Sequence, residues 1–272
     1  MRCAVLGDPV EHSLSPALHR AGYAATGLVW QYDACQVSSG GLRDFLGGLT
    51  DDWRGLSLTM PLKREVLDLL DDRPGSATET VWRSGAANTL ILDGAAVHAD
   101  NTDVPGAVAA LGERNLRRIG GATILGGGAT ATSIGLALAG IGVRDISLLV
   151  RTPERAGETA DRLGAAGLRV LVGDLATDRV RGDLVVSTIP VSAQTDDLVA
   201  RCADVAAVFE VVYDPWPSPL AAAAAADGRV LVSGLDLLVH QAALQYVAFT
   251  GMSAPLGAMR AAGELALAGR TR

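Results

Sequence analysis

The chain has 272 residues, a formal net charge of −7 and only 4% aromatic residues, with 32 glycines among abundant Ala, Leu and Val. At roughly 100 to 200 residues per domain, this length favours two domains, each with a core of its own. The small-residue composition suits helices packed on a parallel sheet better than a β-sandwich, so an α/β fold is expected. The negative balance offers no basic surface for a phosphate backbone, which excludes nucleic acid as an expected partner.

Cys3, Cys35 and Cys202 are far apart and outside any C-x-x-C spacing, which points to neither a disulfide framework nor a zinc site. His12, His19, His98 and His240 lack metal-ligand spacing, and no metal is expected. The opening MRCAVLGDPV has no long apolar run or cleavage site, so no signal peptide is read and a reducing cytoplasm is the expected compartment. From Ile119 to Val143 the chain carries 25 residues without a charge, but eight are glycine. They divide the segment into a strand, a turn and a helix start, and no membrane span is expected.

In chain order, short apolar runs alternate with helical patterns. Arg2 to Leu6 precedes a helix from about Ser15, Gln31 to Ala34 one from Leu42, and Leu56 to Leu58 one from Pro61. Asn88 to Leu92 and Ala95 to His98 flank Asp93-Gly94, a two-residue hairpin signal, before a helix over Val104 to Leu111. A second alternating series has strands at Ala122 to Leu125, Ile146 to Val150, Leu168 to Val172, Leu184 to Ser187 and Val208 to Val211. The Ala221 to Ala226 run reads as a helix body, and apolar helices over Leu235 to Phe249 and Pro255 to Ala268 finish the chain.

The strand Ala122 to Leu125 runs into Gly126-Gly127-Gly128-Ala129-Thr130-Ala131, the G-x-G-x-x-A form of a dinucleotide-binding turn. Gly126 permits the tight turn, Gly128 lets backbone approach a pyrophosphate, and Ala131 keeps the helix close to the sheet. At the tip of the next strand, where an NAD site would hold an acid for the ribose 2′-hydroxyl, stands Arg151. Arg151, Thr152 and Arg155 suit a 2′-phosphate, although the same residues also suit an ordinary solvated helix start. The missing acid favours NADP over NAD.

In the first half, Ser13 and Ser15 stand at a helix N-terminus, where they can cap the helix or hold a carboxylate. Lys63 falls in the first turn of a helix, a position the macrodipole disfavours for a cation, so a partner is expected. Asp103 can be read as an N-cap. Yet Ser13, Ser15, Thr59, Lys63, Asn88 and Asp103 all sit at ends of elements, where loops at the carboxyl edges of strands gather into a crevice suited to a polyhydroxylated acid.

Six motifs in order then resemble the shikimate dehydrogenase family. They are Ser13-Leu14-Ser15-Pro16-Ala17-Leu18-His19, Thr59-Met60-Pro61-Leu62-Lys63, Ala86-Ala87-Asn88-Thr89, Asn101-Thr102-Asp103, Tyr213-Asp214-Pro215-Trp216-Pro217-Ser218-Pro219-Leu220 and Gly234-Leu235-Asp236-Leu237-Leu238-Val239-His240-Gln241. The resemblance implies an N-terminal βαβ substrate domain over 1–103, completed by helices of 236–272, and a Rossmann-like NADP-binding domain over 104–235. It further implies a cleft that closes by hinging near Val104 and Gly234.

The activity implied is the NADP-linked interconversion of 3-dehydroshikimate and shikimate. By the same resemblance Ser13, Ser15 and Tyr213 hold the substrate carboxylate, with Thr59 nearby. Lys63, Asn88, Asp103 and Gln241 meet the ring hydroxyls, with Lys63 and Asp103 as the catalytic pair. Thr188 and Gly234 join the glycine loop, Arg151, Thr152 and Arg155 in the cofactor set. The chain departs from the family pattern at Val150 and Ser57, both commonly Asn, at Leu237, commonly Met, and at Ser187-Thr188-Ile189-Pro190 on the nicotinamide side. A small-molecule substrate is the expected partner, with the chain a monomer or homodimer. Rival readings are a quinate or dual quinate/shikimate dehydrogenase, against which Arg151 argues when NAD is its cofactor, and a non-catalytic NADP-binding sensor, against which the Lys63 and Asp103 pair argues.

Overall fold

A computed structural model describes residues 1–70, 72 and 74–270, which form two compact units, one of residues 1–102 and 238 onward and one of residues 103–237. Residues 271 and 272 of the expected closing segment lie outside the described residues. No helix among the described residues is long and apolar enough to cross a membrane.

The first unit begins with β1 (Arg2–Gly7), α1 (Ser15–Ala25), β2 (Gln31–Gln36), α2 (Leu42–Gly47) and β3 (Trp53–Leu58). After β3 the expected single helix is instead two short ones, α3 (Leu62–Glu65) and α4 (Leu67–Leu70), held by the buried stripe Leu62, Val66 and Leu69. A short strand not foreseen, β4 (Gly75–Ala77), and α5 (Glu79–Ser84) follow, then the hairpin of β5 (Thr89–Asp93) and β6 (Ala96–Asp100). Asp93 pairs with Ala96, so the turn residues are Gly94 and Ala95, one position later than expected. Gly94 has φ of 58°, and a glycine first in the turn gives the Gly-X form rather than Asp-Gly.

These strands make a mixed sheet in the order β2-β1-β3-β5-β6-β4, with β1 parallel to β2 and β3 while β3, β5 and β6 run antiparallel. Leu6, Leu56, Leu58 and Leu90 meet Leu42, Leu46 and Leu62 in its core. Each such leucine, once fully buried, contributes on the order of 1.5–3 kcal/mol.

The second unit contains α6 (Asp103–Glu113), β7 (Ala122–Leu125), α7 (Ala129–Gly140), β8 (Asp145–Val150), α8 (Gly157–Ala165) and β9 (Arg169–Asp174). It continues with β10 (Leu184–Ser187), α9 (Asp196–Arg201), β11 (Ala207–Glu210), α10 (Pro219–Ala226) and the unforeseen short β12 (Val230–Val232). All pairings are parallel, in the order β12-β11-β10-β7-β8-β9. This is the doubly wound order, with its switch between β7 and β10. Ile124, Leu148, Val186 and Phe209 face one core, and their neighbours Leu125, Leu149, Val185 and Val208 the other. Burial on both faces is why these strands read as continuous apolar runs.

The unit boundary falls inside α11 (Gly234–Thr250), which is followed by α12 (Leu256–Ala268). The far end of α11 packs into the first unit. Tyr246 Oη lies 2.5 Å from Thr26 Oγ1, Arg54 Nε donates to the Phe249 carbonyl at 3.1 Å, and a Cβ at Gly55 would stand 2.2 Å from the Phe249 ring. Any larger residue at 55 would displace that ring.

Candidate functional site

The loop after β1 carries Ser13 to α1. The helix has Leu14 at its N-cap and no side-chain capping bond there, but Ser13 Oγ accepts the Ser15 N–H at 3.3 Å. Ser13 therefore serves the first turn weakly, and Ser15 is buried. Thr59, just past β3, donates its N–H to the Leu6 carbonyl at 2.9 Å, which holds the ends of β1 and β3 together. Lys63 sits in the four-residue α3. The macrodipole expectation does not apply to it, because one turn of helix is too short to sum peptide dipoles. Its carbonyl accepts the Ala87 N–H at 2.8 Å, which sets the Lys63 backbone beside that of Asn88.

Asn88 is the centre of the first unit's polar cluster. Its Nδ2 donates to Thr102 Oγ1 at 3.0 Å and to Gln241 Oε1 at 3.3 Å. Its Oδ1 accepts the Thr102 N–H at 2.8 Å and the Thr89 hydroxyl at 2.8 Å. Gln241, on α11, donates Nε2 to the Leu238 carbonyl at 3.0 Å. Asp103 follows Thr102 directly as the first residue of α6 and is buried. The structure thus joins Asn88 to Gln241 and Ser13 to Ser15, and it fixes the backbone of Lys63 and Thr59 nearby.

Tyr32, Ser57 and Gln245, which sequence reasoning did not place at a site, complete the cluster. Tyr32 Oη donates to Ser57 Oγ at 2.6 Å, and Ser57 Oγ donates to Gln245 Oε1 at 2.8 Å. Gln245 lies four residues after Gln241 on α11, a same-face spacing that signals it in advance. Tyr32 carries no such signal.

In the second unit, Gly126 has φ of 101°, the left-handed region that glycine tolerates. Thr188 closes over it: its hydroxyl donates to the Leu125 carbonyl at 2.8 Å, and a Cβ on Gly126 would stand 2.5 Å from that oxygen. Gly127 offers its carbonyl to Thr159 Oγ1 at 2.8 Å. α7 is capped by Gly128 in extended conformation with no side-chain bond, around which a Cβ would find open space, and Ala131 is fully buried. The first N–H groups of α7 therefore face outward at the sheet's switch point, as a pyrophosphate requires. Arg151 and Arg155 are exposed beyond the tip of β8, with Thr152, Pro153 and the exposed Glu154 between them, and the residue that follows the strand is Arg151 rather than an acid. Open backbone donors, a dipole end and two guanidinium groups fit NADP.

Tyr213 lies half-buried in the loop after β11. Both ends of that loop are tied to the fully buried Glu210, whose Oε1 accepts the Val212 N–H at 3.1 Å and Oε2 the Ser218 hydroxyl at 2.7 Å. Burial pushes the Glu210 carboxyl above its ordinary range, against the pull of these donors and of Gln194. A lone acid ending the apolar run Ala207–Glu210 is the signal by which this anchor is legible in sequence. At Gly234 a Cβ would stand 2.1 Å from the Val211 carbonyl, so the start of α11 is closed to any side chain.

Residues 5–90 match the model of the shikimate dehydrogenase substrate binding domain, and residues 234–262 that of the shikimate 5'-dehydrogenase C-terminal domain. Shikimate dehydrogenase (NADP(+)) of Desulfitobacterium hafniense is 33% identical, over 97% of this chain and 98% of its own length. The chain belongs to the shikimate dehydrogenase family. The crystal structure of Mycobacterium tuberculosis shikimate dehydrogenase superposes with a TM-score of 0.85 at 35% identity, covering 97% of this chain and 99% of that one. Shikimate 5-dehydrogenase of Thermus thermophilus, solved in complex with NADP(H) and shikimate, superposes with a TM-score of 0.82 at 29% identity over 98% and 99% of the two chains. Asn101-Thr102-Asp103 and the glycine loop lie outside both matched segments, and the near full-length relatives extend the shikimate dehydrogenase family assignment across them.

Proposed function

We propose that this chain catalyses the NADP-dependent, reversible reduction of 3-dehydroshikimate to shikimate, a step toward the aromatic amino acids. The observation that carries the reading is end-to-end similarity to NADP-dependent shikimate dehydrogenases, one of them solved with NADP(H) and shikimate. In this reading residues 1–103 with 236–272 bind the substrate, and residues 104–235 bind NADP. It acts in the cytoplasm as a monomer or homodimer.

Ser13, Ser15 and Tyr213 hold the substrate carboxylate, with Thr59 adjacent. Asn88 and Gln241 hydrogen-bond ring hydroxyls together with Lys63 and Asp103. NADPH, when bound on the Gly126 to Ala131 loop with Arg151, Thr152, Arg155, Thr188 and Gly234, supplies hydride to the ketone carbon. As that carbon is reduced its oxygen gains negative charge, and the Lys63 ammonium stabilises it and supplies the proton. Asp103 orients the Lys63 ammonium toward that oxygen. In the oxidative direction the same pair takes the proton from the hydroxyl.

The test is initial rates at the nicotinamide absorbance with purified protein, using shikimate and quinate, each with NADP and with NAD. Turnover confined to shikimate with NADP is expected. Turnover of quinate with NAD at a comparable rate would replace this reading with the dual enzyme.

A further inference from the structure

The core of the second unit holds a carboxylate whose partners among the described residues are all neutral. Glu210 ends β11 with no exposed surface, and two loops bring donors to it. The loop after β11 supplies the Val212 N–H to Oε1 at 3.1 Å and the Ser218 hydroxyl to Oε2 at 2.7 Å, so the carboxylate spans the segment that carries Tyr213. The loop after β10 supplies Gln194, whose Nε2 donates to Glu210 Oε2 at 2.7 Å and to Ser187 Oγ at 3.3 Å, while its Oε1 accepts the Leu220 N–H at 3.1 Å. Ser187, Gln194 and Ser218 are buried with it.

A carboxylate accepts and cannot donate, so each of these bonds has one sense only. The single proton of Ser218 goes to Glu210, which leaves the Ser218 oxygen to accept the Ala221 N–H at 3.2 Å as the N-cap of α10. Withdrawing a carboxylate from water is costly, and a residue that only packed the end of the apolar run Ala207–Glu210 would be apolar. What the carboxylate adds is two ties on one short loop, at Val212 beside Tyr213 and at Ser218, in a segment with no strand or helix of its own. The loop of Thr188 needs no such tie, because Thr188 is held to the Leu125 carbonyl by its N–H at 3.0 Å and its hydroxyl at 2.8 Å.

We propose that Glu210 is a positioning residue for the substrate: its two oxygens fix the 211–218 loop to the end of β11 and so set where Tyr213 stands relative to the glycine loop of the same unit. This rests on the reading that Tyr213 holds the substrate carboxylate. Glu210 itself, with no exposed surface, touches neither substrate nor cofactor. In Glu210→Gln one oxygen becomes an NH2, which cannot accept. Turned toward Ser218 and Gln194 it would leave two donors unmet, so it faces the Val212 N–H, and the tie beside Tyr213 is the one lost.

The test uses the full chain labelled with 3-fluorotyrosine. The chain has four tyrosines, of which Tyr23, Tyr32 and Tyr246 are buried in the first unit, and the Tyr213 fluorine signal is assigned by its loss in Tyr213→Phe. In Glu210→Gln the Tyr213 signal is expected to shift or broaden while the other three stay in place. The KM for shikimate should rise about 3- to 10-fold, the worth of one hydrogen bond, with a smaller change in kcat and none in the Kd for NADPH. Added to Tyr213→Phe, Glu210→Gln should raise that KM little further, because its effect passes through Tyr213. Ser218→Ala, which keeps the carboxylate and removes the other loop tie, should move the same signal, and it carries the test if Glu210→Gln does not fold. An unmoved Tyr213 signal, an unchanged KM for shikimate, or KM losses that multiply in the double variant would overturn the proposal. The fluorine signal is read without turnover, so an inactive wild type would count against the proposed reaction and leave the placement of Tyr213 to be decided by the spectrum.

Discussion

Asn88 and Gln241, 153 positions apart, are joined by a hydrogen bond of 3.3 Å from Nδ2 to Oε1. The bond attaches the last long helix to the strand-end loop ahead of β5, and it binds together two of the residues proposed to meet ring hydroxyls. Asn88 has further partners in Thr89 and Thr102, whereas the Gln241 amide nitrogen bonds within its own helix. The two positions should therefore respond differently. Asn88→Ala leaves buried donors of Thr89 and Thr102 unmet and is expected to lower stability by about 2 kcal/mol as well as activity. Gln241→Ala should cost stability less than about 1 kcal/mol while raising the KM for shikimate. Urea unfolding beside initial rates separates the two effects; equal stability losses would contradict the asymmetry.

Lys63→Ala and Asp103→Asn should each lower kcat by about 10²- to 10⁴-fold, the usual worth of positioned proton transfer. Circular dichroism and the thermal midpoint should stay close to wild type for Lys63→Ala, whose side chain is only half-buried. Near-normal rates in both variants would remove the pair from the reaction.

Arg151 is exposed beyond β8, where its charge is available to a 2′-phosphate. Arg151→Asp replaces a charge-assisted bond by repulsion and supplies the acid that a 2′-hydroxyl prefers. The ratio of kcat/KM for NADPH over NADH is expected to fall at least about tenfold, in line with about 1.5–3 kcal/mol for a hydrogen bond to a charged group. An unchanged ratio would place the 2′-phosphate elsewhere.

His19 is fully buried in its stack on Tyr32, and neither ring nitrogen has a formed hydrogen bond. Burial holds the imidazole down to about 3 from an ordinary 6.5, with the nearby Gln245 side chain offsetting this only in part. The unfolded chain therefore binds one more proton than the native one between those values. Its contribution to stability is complete above pH 6.5 and falls on acidification toward pH 3, at up to about 1.4 kcal/mol per pH unit. His19→Phe keeps a stacking ring and should flatten the decline in unfolding free energy, read from urea titrations between pH 7 and pH 4, by up to that slope. Parallel declines in the two proteins would mean that the native imidazole takes up a proton.

Local chemistry makes part of this molecule legible in the amino-acid sequence itself. The glycine turn at 126–131 is readable because only glycine accepts φ of 101° at Gly126, and the parallel strands of the second unit because burial on both faces makes them continuous apolar runs. The ordered motifs around Ser13, Thr59, Asn88, Asn101, Tyr213 and Gly234 identify the family. Short elements are less visible: β4 and β12 are each three residues, too few for a period, and the hairpin turn lies one residue past its signal because either Asp93-Gly94 or Gly94-Ala95 satisfies a two-residue loop.

Tertiary structure alone decided the rest. That Phe249 fills the space over Gly55, that Gln241 reaches Asn88, and that Tyr32, Ser57 and Gln245 stand in line behind them depend on the return of α11 to the first unit. No periodicity or capping rule encodes such pairings, because hydrogen bonds between residues 150 or more positions apart are fixed by packing, and packing is a property of the whole core.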